Sequence, residues 1–219
     1  MKKYYGILSQ CPLFEGIEQG ELDEIIRRLN GKKVNVSKGN PVFLEGDSAR
    51  YIGVVLLGTV HVVREDYYGN RSVMAVLQPG EMFAEAFSCA GIETMPVSVI
   101  ALTDCEVLLL DCRHIFASGS TSCHYHSLLM RNLLQGMAQK NLALAEKIRY
   151  MSQKTTKEKL MAYLLEQAKQ QGSKEFVIPH NRQSLADYLG VERSAMSAEI
   201  SKLKKSGVID TRGSWFCLK

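Results

Sequence analysis

Arg193, Ser194 and Ser197 recur at helical spacing just after a glycine, and they are side chains of the types that read the edge of a base pair. Arginine presents a planar fork of donors matched to the O6 and N7 acceptors of guanine, while a serine hydroxyl donates or accepts with any base. That chemistry needs a helix whose N-terminal turn can enter a major groove, held by a second helix that crosses it steeply. The segment Asn181 to Ile200 has a pattern that supplies both. Asn181 is a suitable N-cap, Ala186 is small where two helices would cross, and Gly190 can take the positive φ of a tight turn. Leu185, Leu189, Val191, Met196, Ile200 and Leu203 fall at helical spacing, so one face of each helix is predicted to be buried. An ordinary αα-hairpin shares these features, and the segment alone leaves both readings open.

The residues beyond it favour DNA. Lys202, Lys204 and Lys205 lead into Gly207-Val208-Ile209, then Thr211-Arg212-Gly213-Ser214 and Trp215-Phe216-Cys217-Leu218, a pattern of strand, glycine turn and strand. A wing of this kind makes the unit a winged helix-turn-helix. Charge is divided in the same sense: after Ser152 there are 12 Lys and Arg against 7 Asp and Glu, and before it 15 against 16, in a chain of net charge +4. Neutralising phosphates calls for a basic excess on the part that meets DNA.

A chain of 219 residues with 46% hydrophobic content can form two domains, each with its own core. Leu8 to Leu29, with Pro12 near its start and Ile17, Leu22, Ile25, Ile26 and Leu29 along it, reads as a short helical entry segment. From Lys32 to Asp111 short β-rich runs alternate with glycines: Pro41 to Leu44, Ile52 to Leu57, Val60 to Val63, Ser72 to Leu77 and Val97 to Leu102. Repeated turns between short strands predict an antiparallel barrel or jelly roll.

Within that region Lys38-Gly39-Asn40-Pro41-Val42-Phe43, Glu45-Gly46-Asp47, Leu57-Gly58-Thr59-Val60 and Pro79-Gly80-Glu81-Met82-Phe83-Ala84-Glu85 resemble a cyclic-nucleotide-binding domain. Together with the winged helix, nearly the whole chain resembles the cyclic-AMP receptor protein and fumarate-nitrate reductase regulator (CRP/FNR) family of bacterial transcription regulators. The resemblance implies an α+β architecture: a cyclic-nucleotide-binding-like β jelly roll over residues 1–120, a dimerisation helix and hinge over 121–152, and a winged helix-turn-helix over 153–219. It implies that Arg193, Ser194 and Ser197 read bases and that Arg182, Gln183 and Arg212 contact phosphates. The family commonly has arginine where Ala198 stands, so a departure from the usual operator is expected. Nucleotide-binding relatives use a Glu, matched by Glu85, and an Arg-Ser pair that here falls on Met95-Pro96; their polar base contacts align near Leu144 and Ala145. Without the guanidinium that grips a cyclic phosphate, cyclic AMP is not expected to bind.

The expected effector site is then Phe83, Ala84, Glu85, Phe87, Met95 and Val97 with Leu144 from the facing helix, whose apolar bias suits a small hydrophobic or aromatic molecule. A barrel filled by its own side chains is the alternative. No cofactor or metal is expected. Six cysteines (Cys11, Cys89, Cys105, Cys112, Cys123, Cys217) form no C-x-x-C pair, and the N-terminal region holds only Cys11, against the several thiolates an iron–sulfur cluster needs. His61 and Cys123-His124-Tyr125-His126 are thin grounds for haem or a soft metal. A thiol switch stays open, with Cys11 and Cys217 the pair that could bridge subunits. A cupin-like metalloenzyme lacks a set of histidines, and a protein-binding module sits poorly with the basic balance; an enzyme is not expected.

From Thr121 to Ser152 the chain has no proline, and a heptad places Met130, Met137, Leu144 and Met151 at one position and Leu134, Asn141 and Ile148 at the other. That predicts a homodimer seam with Asn141 setting the register, a hinge near Tyr150 to Thr156, and an inverted-repeat operator in double-stranded DNA. RNA polymerase is left open as a further partner. No run of apolar residues is long enough to span a membrane and no signal-peptide core follows Met1, so the expected location is the cytoplasm.

Overall fold

The structure, a computed structural model, describes residues 1–68, 71–116 and 124–219. They form two units, Met1–Ala138 and Gln139–Lys219. The expected boundary at 120/121 and the residue Cys123 lie outside the described residues.

The first unit opens with α1 (Tyr5–Leu8) and α2 (Gln19–Arg28), then β1 (Lys32–Val36), β2 (Pro41–Phe43), β3 (Tyr51–Leu57), β4 (Val60–Glu65), β5 (Arg71–Leu77) and β6 (Met82–Phe83). After α3 (Glu85–Cys89) come β7 (Ser98–Ala101), β8 (Cys105–Asp111) and α4 (Cys112–Phe116). The strands pair antiparallel in two four-stranded sheets, ordered β1-β8-β3-β6 and β2-β7-β4-β5, the expected jelly-roll-like arrangement. Side chains of a strand point alternately to its two faces. On β3 and β8, Val55 and Val107 therefore enter a core shared with Val60 and Val99 of the other sheet, while Ile52, Val54, Leu56, Leu108 and Leu110 enter a second core on the opposite face. That second core is covered by Leu8, Leu22, Ile25 and Ile26 of the entry helices and by Leu129 and Leu133 of α5 (His124–Met151). The buried Asn132 amide fixes this packing, donating to the carbonyls of Leu13 at 3.1 Å and Glu15 at 2.8 Å.

Gly53 is needed in the sheet because it faces Phe83 across the β3–β6 pair. A β-carbon there would lie 2.0 Å from the Phe83 ring, so the ring occupies the space a side chain would take.

In the second unit α5 ends at Met151, and α6 (Thr156–Gln171) begins with a capping box in which Thr155 and Glu158 satisfy each other's backbone N–H groups. The short β9 (Glu175–Val177) precedes α7 (Arg182–Leu189), α8 (Arg193–Lys205), β10 (Ile209–Arg212) and β11 (Trp215–Leu218). Strand β9 had no counterpart in the sequence pattern. It adds to β11, giving a three-stranded sheet ordered β10-β11-β9.

Candidate nucleic-acid interface

The helix-turn-helix forms where its local signals are strongest. The Asn181 side chain accepts from the Ser184 N–H, and Gly190 ends α7 at φ +60°, in the left-handed region. Lys159 of α6 reinforces that end by donating to the carbonyls of Leu189 and Gly190, both at 3.4 Å, which places a cation on the negative end of α7. Leu185, Ala186, Leu189, Met196, Ile200 and Leu203 are buried with Leu160 and Leu164 of α6 and Phe176, Ile209 and Phe216 of the sheet, with Val191 packed at the edge.

Burial of that face leaves the first turn of α8 outward. Arg193, Ser194 and Ala198 are exposed and Ser197 is half-buried. Among the described residues Arg193 makes no internal hydrogen bond or ion pair, so its five donors are available. Arg212, beside the Gly213 turn of the wing, is likewise exposed without an internal partner. The wing is held to α8 by Lys204, whose ammonium reaches Asp210 at 2.8 Å and the Thr211 carbonyl at 3.1 Å. Lys205 is exposed, and Lys202 makes only a long contact of 3.7 Å with Glu199.

Two residues expected at phosphates have hydrogen-bond partners within the protein. Arg182 is half-buried, donates to the Thr211 hydroxyl and lays its guanidinium 5.1 Å from the centre of the Phe216 ring; burial lowers its pKa. Thr211, 29 residues further along, supplies the partner, so no local pattern reveals this orientation. Gln183 donates to Asp187 at 2.8 Å along the same helix, although it is exposed. Behind the motif, Tyr150, Tyr163, Tyr188 and His180 form an aromatic cluster in which His180 stacks on Tyr188 at 4.8 Å. Burial, then the charge of Lys147, holds His180 below the usual histidine range.

The residues of the expected effector lining fall at different places in the fold. Phe83, Ala84, Met95 and Val97 are buried in the core between the two sheets, with Phe87 packed against them, and the Phe83 ring meets Phe43 edge to face. Glu85 is buried at the start of α3, and Leu144 is 59% exposed on α5. An open cavity of about 600 Å³ lies nearby instead, lined by Ser48, Arg50, Ser88, Cys112, Arg113 and Phe116 among others. At its edge the buried Asp111 accepts from Arg50 and Arg113 at 2.8 to 3.1 Å. Burial raises its pKa, but the hydrogen bonds from Arg113 and Arg50 outweigh this and hold it at about 2.

On α5, Met130 and Met137 pack against the core of the first unit. Leu134 is 71% exposed and Ile148 65%, and Asn141 and Met151 are exposed as well. Of the two thiols expected to bridge subunits, Cys11 is fully buried and Cys217 half-buried. His61 is half-buried on β4. No group of three or more candidate ligands for a metal ion occurs among the described residues. None of their helices is long and apolar enough to cross a membrane.

Two family models match the chain: the cyclic nucleotide-binding domain over residues 33–117 and the Crp-like helix-turn-helix domain over residues 158–219. The chain is 25% identical over 203 residues to the cyclic AMP receptor protein of Thermus thermophilus, covering 92% of this chain and 89% of that one. It is 26% identical over 184 residues to the transcriptional activator protein FnrL of Cereibacter sphaeroides, covering 80% and 71%. In fold it is similar to the Thermus thermophilus catabolite activator protein, at 24% identity and TM-score 0.51 over 95% of this chain and 93% of that one. The global regulator CLP of Xanthomonas campestris gives TM-score 0.56 at 18% identity, over 92% and 99%.

Proposed function

The chain belongs to the CRP/FNR family of DNA-binding transcription regulators, and we propose that it acts as a homodimer on an inverted-repeat operator, with binding controlled through its N-terminal domain. The observation that carries this reading is the first turn of α8: Arg193 stands free on the exposed side of a helix whose other side is locked in the core. A helix presented this way enters a major groove by its N-terminal end, and an unpaired guanidinium there suits a guanine. Arg193, Ser194 and Ser197 read bases, and Ala198 shortens the reach by one arginine relative to the family's common pattern. Arg212 and the exposed Lys205 supply phosphate contacts.

The dimer seam is the exposed apolar stripe of α5, with Leu134, Leu144 and Ile148 at its centre and Asn141 among them. Leucine and isoleucine side chains this exposed along one helix gain by meeting a second copy, which removes them from water. Two-fold pairing sets the recognition helices about one DNA turn apart.

The effector is not cyclic AMP in this reading. Met95 and Pro96 stand where nucleotide-binding relatives carry the Arg-Ser pair, and Met95 is 1% exposed within the core. A signal reaching the N-terminal domain by any route acts only through a difference in affinity for two states of the dimer.

Selection from a random DNA pool tests the assignment: an enriched inverted repeat is expected, and no enriched sequence overturns it. Arg193→Ala should cost about 1–3 kcal/mol on the selected site and relax preference at one base pair of each half.

A further inference from the structure

We propose that Cys89 and Cys112 form a peroxide-oxidisable dithiol in the N-terminal domain, closing to an intrachain disulfide that ties α3 to the junction of β8 and α4. The two residues are 23 positions apart and no spacing rule links them, yet their Sγ atoms lie 3.8 Å apart. The fold makes this meeting. Cys112 follows the last residue of β8, and its N–H donates to the Arg50 carbonyl at 3.1 Å, which fixes it beside β3. Cys89 ends α3, and that helix is tied to the same strand by the Ser88 hydroxyl, which donates to the Tyr51 carbonyl at 2.9 Å. A disulfide needs the sulfurs at about 2.05 Å, so closure asks for a movement of about 2 Å, on the scale of a side-chain rotation.

Access is the second requirement. Cys112 lines the open cavity of about 600 Å³ with Ser88, Arg50 and Arg113, and Cys89, next in the chain after Ser88, is half-buried. A small peroxide fits such a space. The other described thiols differ: Cys11 is fully buried, and Cys105 already donates to the Thr59 and Thr103 carbonyls.

Local electrostatics separates the roles. The contact between the two sulfurs holds the Cys89 pKa down, against burial and the charge of Glu85, while the same contact and burial push Cys112 up. Cys89 is the thiolate that attacks. Its sulfur takes one oxygen from a hydroperoxide, the O–O bond breaks, and water leaves from hydrogen peroxide to give the Cys89 sulfenic acid. Cys112 sulfur then attacks the Cys89 sulfur, the S–O bond breaks, and the departing hydroxide takes the Cys112 proton as a second water. Two thiols and one hydrogen peroxide become one disulfide and two waters. The bond would pin the far end of α3, the helix that begins at Glu85, to the strand that leads into α4.

The test uses the full reduced chain, treated with hydrogen peroxide, blocked with iodoacetamide, digested and mapped by mass spectrometry. A linked Cys89–Cys112 peptide lighter by two hydrogens is expected. Cys89→Ser should abolish it while leaving the circular dichroism spectrum unchanged, and Cys89→Ala should do the same. Recovery of both residues as alkylated thiols overturns the proposal, as does oxidation of Cys89 to sulfinic acid with no bridge. The readout is a covalent bond, so it stands or falls separately from the DNA-binding assignment.

Discussion

The guanidinium of Arg182 donates to the hydroxyl of Thr211 at 3.0 Å, and that hydroxyl donates in turn to the Trp215 carbonyl at 2.8 Å. One oxygen thus joins the first helix of the helix-turn-helix to both strands of the wing. Thr211→Val removes this partner from the half-buried Arg182 guanidinium and the Trp215 carbonyl and should destabilise the C-terminal unit by about 1–3 kcal/mol. Arg182→Met keeps the apolar stem but loses the hydrogen bond and the Phe216 contact, and should cost about 1–2 kcal/mol. The double variant should lose less than the sum, because both changes remove the same interaction. Urea unfolding followed by fluorescence of Trp215, the one tryptophan in the sequence, measures all three. Strictly additive costs would refute the coupling.

Asp111 carries an acid dependence of known sign. Its folded pKa of about 2 lies below the value near 3.9 of an unfolded carboxylate, so its contribution is present above about pH 4 and is lost as pH falls towards 2. The shift corresponds to about 2 kcal/mol. Asp111→Asn should remove that amount at pH 7 and flatten the stability of the N-terminal unit between pH 4 and 2. An equally steep acid profile in the variant would place the titration elsewhere.

Arg212 is exposed at the wing and has no internal partner among the described residues, which makes it the cleaner phosphate contact of the three expected. Arg212→Ala should weaken selected and unrelated DNA alike and reduce the slope of log K against log salt by about one per subunit. Arg182→Met should leave that slope nearly unchanged. Titrations at several salt concentrations separate the two; equal slopes for wild type and Arg212→Ala would remove Arg212 from the interface.

The proposed dimer seam can be tested without touching either core. Leu134 and Ile148 are exposed on α5, so Leu134→Glu with Ile148→Glu places like charges along both copies of the stripe. Sedimentation equilibrium should show a monomer with an unchanged thermal unfolding of the C-terminal unit. DNA affinity should fall by orders of magnitude, since each half-site then binds alone. A dimer of normal strength would move the seam to another surface.

The helix-turn-helix was legible because its determinants are local: Asn181 caps within three residues, Gly190 turns the chain by its own conformation, and the apolar spacing needs no distant partner. The strands were legible as a region, since glycines and short β-rich runs mark turns wherever they pair. Which of their side chains would face a cavity was not. Phe83 and Met95 look the same in sequence whether a ligand or the opposite sheet covers them, and here the sheet does. Arg182 was assigned outward on family pattern, but Thr211 and Phe216 draw it inward from the far side of α8. Cys89 and Cys112 meet through the β3–β8 ladder and the packing of α3, a relationship of tertiary structure alone.

Gly53 and Phe83 have a consequence for how this chain can vary. Because the Phe83 ring fills the space where a Gly53 side chain would project, the two positions behave as one inherited character. A library randomised at 53 alone should return glycine. Alanine or serine at 53 should survive only alongside a smaller residue at 83, so a second-site suppressor screen on Gly53→Ala should map to a single codon.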